Sequence, residues 1–237
     1  MIQLTVRNLH AHYGKSHVLH GVDLDLHKGT IASILGRNGS GRSTTLKAMM
    51  GIVGASNGSI DFEGEQLAGL QPNVIARRGI AYVPEDRQVF ANLSVTENLA
   101  VGAQERRADA PVWAMEDMFS YFPRLRERRN QRAGTMSGGE QQMLTLCRSL
   151  MGNPKVILID EPTEGLAPQI VSILSDVLVD IARRGVTVLL VEQKLALALR
   201  ISEHVLVMGH GQIAFSGTIG EFKEREDIRH AWLDVAH

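Results

Sequence analysis

Residues 36–44 of this 237-residue chain read Gly36-Arg37-Asn38-Gly39-Ser40-Gly41-Arg42-Ser43-Thr44. The apolar run 31–35 before them is typical of a buried strand, and residues 44–50 after them are typical of a helix that ends at Gly51. The three glycines lack side chains that would block close approach, so backbone N–H groups can converge on phosphate oxygens. The positive end of the helix favours the same ligand. The order strand, glycine loop, helix therefore predicts a phosphate-binding loop.

The cation beside the last glycine of this loop is Arg42, where a lysine is usual. A cation there would neutralise charge on the β- and γ-phosphates, and the hydroxyl of Ser43 could complete the coordination of magnesium. Guanidinium is planar, forked and longer than ammonium. We therefore expect Arg42 to lower the rate of turnover more than it weakens nucleotide binding. A glycine-rich turn without a ligand is the alternative interpretation.

Two adjacent acids, Asp160 and Glu161, follow the apolar run 156–159. Ligands of open α/β sheets usually bind at the carboxyl ends of buried strands. Adjacent residues point in different directions, so one acid can hold magnesium through water while the other addresses an attacking water. A strand that simply meets solvent at its end is the alternative, and the phosphate loop upstream argues against it.

A third motif, Ser137-Gly138-Gly139, precedes a run of helical composition at 140–151. Serine is a good N-cap, and the two glycines leave the helix start open to an anion. An ordinary N-cap would explain a lone Ser-Gly-Gly. Its position shortly before the paired acids favours a binding role.

The remaining pattern predicts an α/β fold with two additions. Alternating apolar residues in 2–9 and 18–26 predict an antiparallel β layer at the start. From about 94 to 132, helical stretches interrupted at Pro111 and Pro123 predict an inserted helical lobe. Elsewhere strands and helices alternate, as in a largely parallel sheet covered by helices. Predicted strands are 59–62, 80–83, 156–159, 186–191, 205–208 and 212–215, and predicted helices are 140–151, 169–184 and a C-terminal tail.

Composition and charge exclude several classes of protein. A net charge of −1 argues against a surface built for nucleic acid. The single cysteine, Cys147, cannot form an internal disulfide. Residues 1–13 lack the apolar core of a secretory signal, and every apolar run is far shorter than the roughly 20 residues that cross a bilayer as a helix. We therefore expect a cytosolic chain that acts on a membrane only through partners.

Aligned in this order, the three motifs resemble those of the ATP-binding subunits of ABC transporters, and the likeness runs over nearly the whole chain. It implies one domain, 1–237, with ATP and Mg²⁺ as ligands. The implied fold is α/β: a P-loop NTPase (RecA-like) core with a mainly parallel sheet and an N-terminal antiparallel β layer in 1–93 and 136–237. The implied helical subdomain is inserted at about 94–135.

The resemblance also assigns nucleotide contacts. It implies that Tyr13 stacks on adenine, although a tyrosine on a strand face is an alternative interpretation. It implies a head-to-tail dimer in which Ser137, Gly138 and Gly139 of one subunit reach the γ-phosphate held by the other. The implied contacts in the phosphate loop itself are Gly36, Asn38, Gly39, Ser40, Gly41, Arg42, Ser43 and Thr44.

In this family pattern Glu161 activates water, with Arg42 and Gln193 as further catalytic residues. The implied magnesium contacts are Ser43, Glu85 and Asp160. Three positions depart from the pattern: Glu85 stands where glutamine is common, Gln193 where histidine is common, and Ala167 where aspartate is usual. Because glutamine cannot carry a proton, Glu161 must act as the base alone. Ala167 predicts weaker communication between the two sites of a dimer.

Segments 83–85, 136–142, 165–168 and 191–193 are similar to the LivF-type subunit of branched-chain amino acid importers. This implies peripheral attachment to the cytoplasmic face of the inner membrane. The implied partners are integral-membrane permease subunits, a second ATPase subunit that is a copy or a homologue, and indirectly an extracytoplasmic solute-binding protein, with no nucleic acid. A hydrolysis-poor partner subunit, or an importer of urea or amides, is the alternative.

Five arginines form the densest basic cluster, beside three aromatic residues at 119–122. A nucleic-acid contact is one interpretation, but the overall charge favours a solvated helix face. The resemblance adds a third: the helical subdomain and Glu85 form a groove for a cytoplasmic helix of the permease. The arginines are Arg124, Arg126, Arg128, Arg129 and Arg132.

Overall fold

A computed structural model describes residues 1–107 and 109–233. The strands are β1 Ile2–Tyr13, β2 Ser16–His27, β3 Ile31–Leu35, β4 Ala55–Phe62, β5 Glu65–Gln66, β6 Ile80–Val83, β7 Val156–Asp160, β8 Thr187–Glu192, β9 His204–Gly209 and β10 Gln212–Thr218. The helices are α1 Arg42–Met49, α2 Pro72–Arg77, α3 Val95–Gly102, α4 Met115–Tyr121, α5 Pro123–Glu127, α6 Gly138–Leu150, α7 Pro168–Arg183, α8 Leu195–Ile201, α9 Ile219–Glu224 and α10 Glu226–Trp232, with a 3₁₀ turn at Ala133–Thr135.

Four strands form an antiparallel sheet in the order β2-β1-β4-β5. Leu4 and Val6 of β1 are fully buried, and after a shift in strand register so are Leu9 and Ala11. They pack on the apolar residues that cover one face of the larger sheet. The N-terminal antiparallel layer predicted from the alternation is therefore confirmed.

The second sheet has six strands in the order β10-β9-β3-β8-β7-β6. The pairs β9-β3, β3-β8, β8-β7 and β7-β6 are parallel, and only β10-β9 is antiparallel. All residues of β3, β7 and β8 are buried, as expected for strands covered on both faces. The mainly parallel α/β core is thus confirmed, and β3, β7 and β8 end side by side at one edge.

The two faces of this sheet pack against different elements. Side chains alternate along β7, so Ile157 and Ile159 join one apolar cluster while Val156 and Leu158 join the other. The first cluster extends through α6 and α7 into the helical segment, where Trp113 and Leu125 belong to it. Helices α3, α4 and α5 therefore belong to the apolar cluster on the side of the sheet opposite the β layer, where α3 and α5 pack against α6.

The described part of 94–132 contains helices α3, α4 and α5, which coil and turns connect. Its one β feature is an isolated bridge between Ser94 and Arg132. Two helices were not predicted. Helix α2 has six residues and buries only Ile75, too little for a helical period to show. Helix α8 begins Leu-Ala-Leu-Ala-Leu, an alternation of large and small residues that resembles a strand, although Leu197, Ala198 and Ile201 are buried on one helical face. None of the described helices is both long and apolar enough to span a membrane.

We predict that Leu158→Ala lowers the free energy of unfolding by about 3 kcal/mol, because the side chain is fully buried in the central sheet and its loss leaves a cavity. Urea denaturation followed by circular dichroism measures the change. Ile173→Ala is the matched control, since Ile173 is 43% exposed and its truncation should cost less than about 1 kcal/mol. Equal losses for the two variants would contradict the assigned core.

Candidate nucleotide site

The phosphate loop joins the end of β3 to the start of α1. The helix begins at Arg42, two residues earlier than predicted, so Arg42 and Ser43 lie in its first turn. Gly41 precedes it with φ of 107° and has no side chain to cap the helix. The first N–H groups of α1 are therefore open to an anionic ligand.

Close packing leaves no room for a side chain at the start of this loop. A Cβ at Gly36 would lie 2.4 Å from the carbonyl oxygen of Met208 and 2.8 Å from Ser40 Oγ. Ser40 is buried, and its Oγ has no hydrogen-bond partner among the described residues. A buried hydroxyl without a partner is costly unless a ligand or water satisfies it. Both observations fit a loop that encloses phosphate.

The side chain of Arg42 is buried, with 4% of its surface exposed. Its Nη2 donates to Glu161 Oε1 at 2.7 Å and to Asn38 Oδ1 at 3.3 Å, and its Nη1 donates to the carbonyl oxygen of Glu192 at 2.8 Å. Burial lowers the pKa of Arg42, and the nearby carboxylates, Glu161 first, oppose that shift. Because the pKa of arginine is so high, the guanidinium stays charged.

Glu161 directly follows β7 in an unusual backbone conformation, with φ of 42°. Its backbone N–H donates to the carbonyl oxygen of Val191 at 2.9 Å. Its Oε2 accepts from Gln193 Nε2 at 2.5 Å, while Oε1 accepts from Arg42. Burial raises the pKa of Glu161, against the opposing effects of Arg42 and Gln193. A carboxylate with a raised pKa is a better proton acceptor than an exposed one.

Asp160 is almost fully buried and both of its oxygens accept hydrogen bonds. Ser43 Oγ donates to Oδ1 at 2.9 Å, and Tyr82 Oη donates to Oδ2 at 3.1 Å. Burial raises the pKa of Asp160, and these two donors oppose the shift. The contact with Tyr82 was not predicted, because a tyrosine inside an apolar strand gives no sequence signal of a polar partner.

The phosphate loop, Glu85, Glu161 and Gln193 meet in one cavity of about 260 Å³. Glu85 and Glu164 interact there, and burial together with that neighbour raises the pKa of Glu85. Asp160 contacts this cavity through Ser43. The lining residues are Asn38, Gly39, Ser40, Gly41, Arg42, Ser43, Thr44, Glu85, Glu161, Glu164 and Gln193.

A third buried acid, Glu192, connects two loops of the site and was not predicted to have a role. Its Oε1 accepts from Thr163 Oγ1 at 2.6 Å, and its Oε2 accepts from the backbone N–H groups of Gln193 and Lys194 at 3.1 and 3.2 Å. Lys194 Nζ donates back to the carbonyl oxygen of Thr163 at 3.0 Å. Glu192 therefore fixes the loops that carry Glu161 and Gln193 relative to each other.

Ser137, Gly138 and Gly139 lie apart from the phosphate loop of their own chain. Ser137 caps α6 and exchanges hydrogen bonds with Glu140. Ser137 and Gly139 border a different cavity, which is lined mostly by residues 121–125 and α7. A Cβ at Gly138 would lie 2.1 Å from Arg87 Nη1, so a side chain there would require the guanidinium of Arg87 to move.

Tyr13 ends β1 with half of its surface exposed, and it lines neither cavity. Four imidazoles lie on the same two strands: His10 pairs across with His20, and His12 with His17. The ring of His17 stacks on those of His10 and His12, at centroid distances of 5.2 and 4.1 Å, and lies tilted against that of His20 at 4.0 Å. Sequence spacing does not show this cluster because the cross-strand register creates it. Within the described residues, no three His, Cys, Asp or Glu side chains are arranged to hold a metal.

The arginine cluster is largely paired. Arg124 bonds Glu127, Arg126 bonds Glu116, and Arg128 bonds Glu140, at 2.6–2.9 Å. Arg126 also lies over the ring of Phe119, 5.7 Å from its centroid.

This fold and site are those of an ATP-binding cassette. Residues 19–164 match the family model described as ABC transporter. The chain is 43% identical to the high-affinity branched-chain amino acid transport ATP-binding protein BraG of Pseudomonas aeruginosa, over 97% of this chain and 99% of the relative. It is 37% identical to the probable branched-chain amino acid transport ATP-binding protein LivF of Archaeoglobus fulgidus, over 96% and 97%.

Among solved structures, the chain superposes on the ADP conformation of an ATP-binding cassette of an ABC transporter with a TM-score of 0.81. The two are 27% identical, and the match covers 97% of this chain and 98% of the other. The chain therefore belongs to the ABC transporter family. As a member, it is a nucleotide-binding ATPase coupled to transport.

We predict that Gly36→Ala weakens nucleotide binding by at least tenfold. The backbone can accept alanine there, but the added Cβ forces the phosphate loop away from Met208, at a cost of about 1–3 kcal/mol. Equilibrium binding of a fluorescent ATP analogue measures the loss. Gly54→Ala is the matched control, because a Cβ there meets no atom of the described residues within 4 Å. Unchanged affinity in Gly36→Ala would contradict the close packing of the loop.

Proposed function

We propose that this chain is the ATP-hydrolysing subunit of an importer for branched-chain or related amino acids. The observation that carries the proposal is the position of Glu161: a buried carboxylate that shares a cavity with the phosphate loop. The names of BraG and LivF, two relatives matched along nearly their whole length, support the solute class. Urea or another amide remains the alternative solute, because the substrate contacts lie in other subunits.

In this proposal the triphosphate lies along the open N-terminus of α1, where N–H groups, Ser40 Oγ and Arg42 supply donors. Gly36, Asn38, Gly39, Gly41, Ser43 and Thr44 complete the loop. Tyr13 stacks on the adenine ring. Tyr13 lies at the end of β1 and is half exposed, which supports a contact with a ligand from solution.

Mg²⁺ fits the donors beside the loop. Magnesium prefers oxygen ligands, keeps several waters and needs only one or two protein groups beside substrate phosphates. The Ser43 hydroxyl and the Asp160 carboxylate lie 2.9 Å apart, and Glu85 faces the same cavity. When bound, the ion would neutralise charge on the phosphates. Tyr82 holds the second oxygen of Asp160 and so fixes the direction of the first.

Glu161 is proposed as the general base. It takes a proton from a water whose oxygen attacks the γ-phosphorus, as the bond to the β-γ bridging oxygen breaks and ADP leaves. Gln193 orients the carboxylate through Oε2, and Arg42 stabilises charge on the transferred group. The buried network around Glu192 holds these groups in place before the substrate arrives.

The site is proposed to be completed by a second copy or a homologue. Ser137, Gly138 and Gly139 lie at the start of a 13-residue helix, and none of them lines the cavity of the phosphate loop. Their proposed contribution is therefore to the phosphate loop of another subunit. ATP held between two subunits would draw them together, and hydrolysis would release them.

A second candidate function is a hydrolysis-poor subunit that binds nucleotide and gates its partner. The ion pair between Arg42 and Glu161 favours it, because it engages one oxygen of the proposed base. Ala167 and Gln193, which replace the usual aspartate and histidine, favour it as well.

The permease is proposed to bind a groove between the sheet and the helical segment. This groove encloses about 610 Å³ and is lined by residues of α2, β6, α3 and α6. Phe90 and Val101 line it and are about half exposed. A permease bound there would hold the chain at the cytoplasmic face of the inner membrane, with a solute-binding protein on the other side. We propose 94–135 as the bounds of the subdomain that forms one wall.

We predict that Glu161→Gln lowers steady-state ATPase activity by at least 100-fold, because the amide cannot accept the proton from water. ATP binding should persist, since the phosphate contacts are unchanged. Phosphate release by the purified subunit, alone and with its permease, measures the effect. Equal rates for the variant and the parent chain would favour the hydrolysis-poor subunit over the enzyme.

We predict that Val101→Asp reduces association with the permease by at least tenfold without changing the fold, because it places a charge on the apolar wall of the groove. Co-purification from membranes measures association. Val112→Asp is the matched control, since Val112 is 41% exposed but lies outside the groove. Loss of association in both variants, or in neither, would argue against this docking surface.

A further inference from the structure

Two donors on opposite sides hold the Glu161 carboxylate. Arg42 Nη2 donates to Oε1 at 2.7 Å, and Gln193 Nε2 donates to Oε2 at 2.5 Å. The contact with Arg42 is charge-assisted and buried, so it is stronger than an ordinary hydrogen bond. A general base needs a free lone pair directed at its water. In this arrangement the guanidinium engages the carboxylate on the side of the phosphate loop.

Arginine can make this contact because of its shape. One guanidinium reaches acceptors on three segments: Asn38 in the phosphate loop, Glu161 after β7, and the carbonyl oxygen of Glu192 at the end of β8. A lysine ammonium is a compact point charge and cannot span acceptors on separate loops in the same way. The unusual residue at position 42 therefore links the phosphate loop to the hydrolytic carboxylate.

A triphosphate in the cavity would compete for the same guanidinium. Arg42 and Glu161 both line that cavity, so a phosphate oxygen bound by the loop lies within reach of Arg42. Phosphate carries more negative charge than one carboxylate and matches the fork of arginine equally well. Gln193 donates only to Oε2, so it can keep hold of Glu161 when Oε1 is released.

We propose that Arg42 is a positioning residue that restrains Glu161. The restraint ends when the terminal phosphate of ATP takes the place of the Glu161 carboxylate on the guanidinium. Binding of a triphosphate then frees Oε1 for water, while Gln193 preserves the direction of the carboxylate. The inference rests on the proposed ATPase function and adds a specific consequence. Glu161 competes with phosphate for Arg42, so the negative charge of Glu161 weakens nucleotide binding through Arg42.

The test is a double-mutant cycle on the affinity for a fluorescent, non-hydrolysable ATP analogue with Mg²⁺. It is measured at protein concentrations at which sedimentation shows a monomer, so that dimer formation does not contribute. Glu161→Gln should tighten binding about tenfold, which is about 1.4 kcal/mol. In an Arg42→Ala background the same change should give no gain. For ADP, which lacks the terminal phosphate, Glu161→Gln should increase the affinity by less than about threefold when Arg42 is present.

Glu164→Gln is the matched control. Glu164 lines the same cavity and carries the same charge, but it is not among the hydrogen-bond acceptors of Arg42, which are Asn38, Glu161 and the carbonyl oxygen of Glu192. Its neutralisation should therefore tighten binding by less than about threefold. Circular dichroism and melting temperature establish that each variant is folded. If Arg42→Ala does not fold, Arg42→Lys replaces it. The gain in affinity from Glu161→Gln should then be less than half of the gain measured with Arg42 present.

Three results would overturn the inference. They are equal gains for Glu161→Gln and Glu164→Gln, a full gain in the Arg42→Ala or Arg42→Lys background, and the same gain for ADP as for the triphosphate analogue. If neither the parent chain nor any folded variant binds either nucleotide, the proposed ATPase function itself is rejected.

Discussion

Parallel pairing of β3 with β8 and of β8 with β7 places three loops at one edge of the sheet. Leu35 lies opposite Glu192, and Asp160 lies opposite Val191, so the last residues of the three strands lie within one residue of each other in the sheet register. The principal polar contacts of the site cross between these loops: Arg42 to Glu161, Ser43 to Asp160, and Thr163 to Glu192. Because a strand that slips by one residue turns its side chains to the other face, this register determines whether the site exists.

The same edge buries three carboxylates, and burial of charge is costly unless specific donors compensate for it. The compensation differs from acid to acid. Asp160 accepts from two hydroxyls, Glu192 from a hydroxyl and backbone amides, and Glu161 from a cation and an amide. Only Glu161 has a charged partner that also faces the phosphate site. This difference gives Glu161 the contact that a phosphate can replace, whereas Glu192 is held by neutral groups of its own loops.

Much of this arrangement follows from local sequence. The glycine loop, the buried strand before it and the acids at 160 and 161 each have a short-range signal, and the structure gives them the expected elements. The contacts of Tyr82 and the role of Glu192 could not be predicted in this way, because their partners are 29 to 78 residues away and depend on strand register. The positive φ of Glu161 likewise has no short-range signal, and the backbone N–H of this residue donates to Val191 on the neighbouring strand. The histidine cluster on β1 and β2 shows the same limit, since only cross-strand pairing brings those rings together.

Ser137-Gly138-Gly139 and Tyr13 illustrate a different limit. Both were assigned to nucleotide binding through the family resemblance, and both lie outside the cavity formed by the phosphate loop in a single chain. For the glycine motif, the dimer proposed above is the explanation of this separation. For Tyr13, the half-exposed position at a strand end is compatible with a partner that arrives from solution.

All of the proposed chemistry requires that the loop of residues 36–44, with Arg42 as its cation, binds a triphosphate. Calorimetric titration of the folded chain with Mg-ATP measures this binding. We expect a saturable heat with one nucleotide per chain. A folded sample that gives no heat at millimolar Mg-ATP would contradict it.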